Sequence, residues 1–105
     1  MIYKVPTRHE ELTLLIKVHT NQPEAIRLKV TDADQPNTAF TDRYKTVDGE
    51  SIFFVRMPVS PANALITIYN EANGNLQVGA DNSIIVDSIT KEPLEKKLDS
   101  DYEKD

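Results

Sequence analysis

The residues best placed for chemistry are acids and amides gathered in turns. Asp32 and Asp34 form an Asp-x-Asp pair after an alternating run, and Asp42 follows eight residues later. Asn70, Glu71, Asn73 and Asn75 surround a second turn. A hard cation such as Ca²⁺ takes about six to eight oxygen ligands, and an Asp-x-Asp loop beside another acidic loop is one way to gather them. Asp32, Asp34, Asp42 and Glu71 are therefore the candidate metal ligands, with Ca²⁺ as the cofactor in that reading. The plainer reading is turn formation without any cofactor, because Asp and Asn side chains bond to their own backbone.

Other chemistries find little footing. The two histidines, His9 and His19, lack a metal-binding spacing, and His19 falls on the polar face of its run. With no cysteine there is no thiolate nucleophile, thiolate metal site or disulfide. Gly49, Gly74 and Gly79 are the only glycines, too few and too scattered for a phosphate-cradling loop, and no Gly-x-Ser-x-Gly elbow occurs. The expectation is a chain that is not an enzyme.

Charge and length narrow the partners. A formal net charge of −5 and a pI near 5.0 oppose an electrostatic grip on nucleic acid. No window approaches the roughly 18 apolar residues of a membrane helix. Arg8, His9, Glu10 and Glu11 precede the first apolar run, which is not a secretory signal pattern, so a cytoplasmic or virion location is expected. At 105 residues one core is expected.

The elements that must position these residues are strands. Ala64 to Gly79 organises the chain: two strand-forming runs flank Asn73-Gly74, a dipeptide suited to the positive φ of a tight hairpin. Ala64, Ile66 and Ile68 share one face, and Leu65, Thr67 and Tyr69 the other. Upstream, Ile2 to Val5 reads as a short strand ended by Pro6. Leu12 to Thr20 and Ile26 to Thr31 alternate as two strands separated by a turn at Asn21-Gln22-Pro23. Asp32 to Asn37 reads as a loop. A strand through Phe40 and Tyr44 ends at an Asp48-Gly49 hairpin turn, and Ile52 to Met57 returns. Phe53 and Phe54 are adjacent, so one ring points away from the main core. Ile84, Ile85, Val86 and Ile89 build the last strand. These turns and alternations predict an all-β domain over residues 1–94, a single antiparallel two-sheet sandwich of about seven or eight strands. Residues 95–105 hold five acids and three lysines, with only Leu98 and Tyr102 to bury, and read as a charged, flexible tail.

Two stretches resemble known families. VTDAD, TDRYK and ALITIYNEANGNLQVG, within Leu28 to Gly79, resemble C2 domains, which implies a Ca²⁺-dependent binding module; Asn70, Glu71 and Asn73 stand where such a site would carry paired aspartates. The strand ending Ile68-Tyr69-Asn70-Glu71, the Asp81-Asn82-Ser83 turn, Ile84 to Ile89 and Pro93-Leu94 resemble small β-sandwich modules of phage structural proteins. Such modules sometimes precede a transglutaminase-like cysteine peptidase, so an accessory domain of that kind is a further implication. The leading expectation is a non-catalytic assembly module of a phage virion, a homo-oligomer or part of a larger assembly. Its partner-binding residues would be Ile2, Tyr3, Val5, Leu94 and Leu98, on the N-terminal arm and the C-terminal tail.

Overall fold

The computed structural model describes residues 1–72, 75–78 and 84–94. All regular structure among them is β. The strands are β1 (Ile2–Pro6), β2 (Leu12–Asp32), β3 (Gln35–Met57), β4 (Asn63–Ala72), β5 (Asn75–Val78) and β6 (Ile84–Pro93). Every pairing is antiparallel, and the order β1-β4-β2-β3 is completed by β5 on β4 and β6 on β2.

Among the described residues there are six strands where seven or eight are expected, because two expected turns lie within paired strands instead of ending them. Thr20 pairs with Gly49 and Glu24 with Val47, so Asn21-Gln22-Pro23 on β2 lies opposite Asp48 on β3. The two stretches form one corner within the ladder of β2 and β3. A straight strand of 21 residues would span roughly 70 Å, yet the longest dimension of the molecule is 37 Å. Both long strands must therefore bend, and the register shift between Thr20 and Glu24 interrupts the ladder at this corner.

Local chemistry explains the corner. Gly49 has φ +86°, in the left-handed region that glycine enters without a Cβ clash. The Thr20 hydroxyl, buried, donates to the Val47 carbonyl at 3.1 Å and accepts the Gly49 N–H at 3.1 Å. It thus serves two backbone groups at the point where the register shifts.

Alternation survives the corner, and that is what makes a core. Leu12, Leu14, Ile16 and Val18 from the first half of β2 and Ile26, Leu28 and Val30 from the second are all buried. They share one cluster with Val47, Phe53, Val55 and Met57 of β3, Ala64, Ile66 and Ile68 of β4, and Ile84 of β6. Phe53 is buried and Phe54 only half-buried, as adjacent strand residues require.

The expected loop at 32–37 is shorter in the structure. Asp32 pairs with Gln35, so only Ala33 and Asp34 make the reversal. The Asp34 N–H donates to Asp32 Oδ1 at 2.8 Å, which fixes the turn. Phe40 is skipped between the pairs Val30–Thr41 and Thr31–Ala39, and this bulge lets it pack against the core. β4 and β5 pair as the expected hairpin arms, whereas its Asn73-Gly74 turn, the 81–83 turn and the 95–105 tail lie outside the described residues.

Candidate functional site

Register decides which of the sequence candidates meet. Asp32 pairs across to Ala64 of β4, and Ile26, at the other end of the same ladder, pairs with Asn70. Glu71, just beyond Asn70, is thus on the order of 20 Å from Asp32 along the strands. Asp42 pairs with Lys29, three positions from Asp32, or roughly 10 Å. Calcium–oxygen bonds of about 2.3–2.6 Å at the ends of two side chains do not span the gap from Asp32 to Glu71. Only Asp32 and Asp34 stand together, in the turn they form. Among the described residues no group of three or more His, Asp or Glu side chains is close enough to hold a metal.

Asp42 has a different partner. Arg27 Nε donates to Asp42 Oδ1 at 2.7 Å and Nη2 to Oδ2 at 2.6 Å, a two-pronged pair that uses the planar fork of the guanidinium. These hydrogen bonds hold the Asp42 carboxyl below the usual carboxylate range and raise the Arg27 pKa. Arg27 lies between Tyr69 on β4 and Tyr44 on β3, and its guanidinium is 5.0 Å from the Tyr44 ring centre. Next along the same outer face runs the row Ile2, Thr67, Lys29 and Asp42. Tyr44 is 62% exposed and Ile2 59% exposed, so a Tyr-Arg-Tyr row with an isoleucine beside it faces outward. Arg27 and Lys29 put two cations on this face of β2, and the arginine is engaged by Asp42.

The candidate partner residues take definite places. Ile2, Tyr3 and Val5 belong to β1, whose antiparallel pairing with β4 makes the N-terminal arm an edge strand of its own sheet. The Met1 ammonium donates to the Ile68 carbonyl at 2.9 Å, and the Ile68 N–H returns a bond to Met1 at 2.8 Å. Desolvation lowers the pKa of this ammonium. Tyr3 and Val5 are half-buried against the core, Leu94 is half-buried after β6, and Leu98 lies outside the described residues.

One feature escapes sequence reasoning. Arg8 and His9 both have positive φ, 54° and 55°, and the Glu10 N–H donates to the Thr7 carbonyl at 3.2 Å. This is a tight turn with two left-handed central residues, which usually selects Asn and Gly. A buried clasp holds it. Thr7 Oγ1 donates to the Pro61 carbonyl, Ser60 Oγ donates to the Thr7 carbonyl at 3.1 Å, and Ser60 Oγ accepts the Glu10 N–H at 2.8 Å. The residue types Arg-His gave no turn signal; the buried Ser60 and Thr7 override them. Beside the turn, Glu10, Glu11, Leu12, Lys91, Glu92 and Pro93 line an open cleft of about 320 Å³.

Comparison with protein-family models, with curated proteins and with solved structures finds no match for this chain. No helix among the described residues is long and apolar enough to cross a membrane.

Proposed function

We propose that this chain is a non-catalytic structural or assembly module acting through protein–protein contacts, as a component of a phage particle. The observation that carries the reading is the outer face of β1, β4, β2 and β3, where register aligns Tyr69, Arg27 and Tyr44 and sets Ile2 in the neighbouring row, opposite Thr67. Tyrosine and arginine are enriched where proteins bind one another, and singly scattered apolar side chains would carry no such weight. The same reading takes the fold as a two-layer sandwich, with the halves of β2 and β3 on either side of the corner facing each other. The single cluster to which both halves contribute supports that arrangement.

Calcium binding ranks second, since Asp42 is engaged by Arg27 and Glu71 lies at the far end of the ladder. Light scattering over a concentration series, in calcium and again in chelator, separates the two. Assembly predicts the same multiple of the 11.9 kDa chain in both buffers. A monomer stabilised only by calcium would overturn it, because a cation held by the folded state alone adds stability by mass action.

A further inference from the structure

We propose that the free edge of β1 pairs with the β1 of a second copy, about a two-fold axis at Tyr3, in one register only. The inference rests on the assembly reading above and names its partner. It starts from which backbone groups β1 has already used. Met1 exchanges both bonds with Ile68, and the Thr7 N–H donates to the Ala62 carbonyl at 2.9 Å. In an antiparallel ladder bonded and non-bonded residues alternate, so Met1, Tyr3, Val5 and Thr7 face β4. The N–H and C=O groups of Ile2 and Lys4 then point away from the sheet. β1 stands at the end of the strand order, and among the described residues β4 is its only ladder partner.

A two-fold axis perpendicular to the sheet makes the new pair antiparallel. Only residues with outward groups can exchange bonds, which leaves three centred registers. Ile2 opposite Ile2 of the second copy sets both Lys4 residues opposite none of the described residues. Lys4 opposite Lys4 sets like charges face to face and places Ile2 against Pro6, which has no N–H and whose carbonyl already accepts Lys91 Nζ at 2.9 Å. Ile2 opposite Lys4 avoids both faults and lets all the outward groups of Ile2 and Lys4 bond, two exchanges related by the axis. It also lays the Lys4 stem beside Ile2, which is 59% exposed in the single chain. A lysine and a proline on a short edge strand commonly block pairing. Here they exclude the wrong registers and leave one open.

The sharpest variant is Lys4→Pro, which deletes an outward N–H while leaving the bonds to β4 in place. Sedimentation of the full chain from micromolar to millimolar concentration should give a mass rising toward twice 11.9 kDa. Lys4→Pro should weaken that dimer at least tenfold with the thermal midpoint retained. Tyr3→Cys reads the register: the two Tyr3 positions form a non-bonded pair with Cα atoms about 4.5 Å apart, a separation a disulfide accepts. In a chain without cysteine, mild oxidation should cross-link Tyr3→Cys and leave Lys4→Cys single. If Lys4→Pro fails to fold, the contrast between the two cysteine variants decides. An oligomer that Lys4→Pro does not weaken, or one in which Tyr3→Cys does not cross-link, overturns edge pairing and leaves assembly by another surface standing. A chain monomeric up to millimolar concentration overturns both edge pairing and self-assembly.

Discussion

Arg8 and His9 sit where a tight hairpin turn usually places asparagine and glycine, and a left-handed conformation costs an ordinary residue about 1–2 kcal/mol. The clasp of Thr7, Ser60 and Glu10 overcomes that preference. Arg8→Asn combined with His9→Gly should therefore stabilise the fold by roughly 1–2 kcal/mol, seen as a rise of several degrees in the thermal midpoint; an unchanged or lower midpoint would contradict the assigned backbone. Ser60→Ala should act in reverse, removing the nearer of the two acceptors of the Glu10 N–H and the hydroxyl that donates to the Thr7 carbonyl, and destabilising by roughly 1–3 kcal/mol. The Arg27–Asp42 pair makes a pH-dependent contribution whose sign is fixed by the lowered Asp42 pKa. With a folded value below the unfolded value of about 3.9, the pair adds stability that is fully present above about pH 4 and is lost as pH falls through the folded value. Asp42→Asn should flatten this part of the acid limb in urea midpoints measured from pH 6 to pH 2. The difference from wild type should shrink at high salt, because the pair is solvent-accessible.

At the scale of elements, the corner through β2 and β3 governs the architecture, and Thr20 is the residue that fastens it. Thr20→Val preserves shape but removes the hydroxyl that serves both Val47 and Gly49, and should destabilise by roughly 1–3 kcal/mol. Urea denaturation checks this, and a change under about 0.5 kcal/mol would mean that water replaces the hydroxyl. The corner also marks where the sequence stops being legible. Alternation along Leu12 to Thr20, Ile26 to Thr31 and Ala64 to Tyr69 predicts one buried face for each run, and Leu14, Ile16, Leu28, Val30, Ile66 and Ile68 are all buried. Asn-Gln-Pro and Asp-Gly, however, are residue types that suit both a chain reversal and a bend shared by two paired strands. Only the pairing tells them apart, and their facing each other across one ladder merges four expected strands into two. The acidic candidates lie apart for the same reason. Composition shows that Asp32, Asp34, Asp42 and Glu71 are in or beside turns, while register sets Glu71 at the opposite end of β4 and gives Asp42 to Arg27.

For the molecule as a whole, the problem left by this topology is its open edges. β3 runs for 23 residues and, among the described residues, pairs only with β2, so a long edge stands beside the core. Such an edge is a template for uncontrolled pairing unless charge interrupts it. Arg43 and Lys45 supply that charge at half-buried positions of β3. Arg43 Nη1 donates to the Phe54 carbonyl at 3.4 Å, reaching from one half of the strand to the other, and Lys45 Nζ lies 5.3 Å from the centre of the Phe53 ring. Both side chains thus bridge the place where the two halves of β3 approach, which closes the edge with groups that another strand could cover only by desolvating them. Replacing both by valine raises β-propensity and apolar burial together, so the folded chain should be about as stable as before. It should nevertheless form turbid, sedimenting aggregate at concentrations where wild type gives no more than a small, defined oligomer. The pair of readings matters: aggregation with an unchanged thermal midpoint assigns Arg43 and Lys45 to protection of the edge. Aggregation with a midpoint lowered by many degrees would make them ordinary structural contacts, and a clear solution would show that the corner alone keeps β3 from pairing.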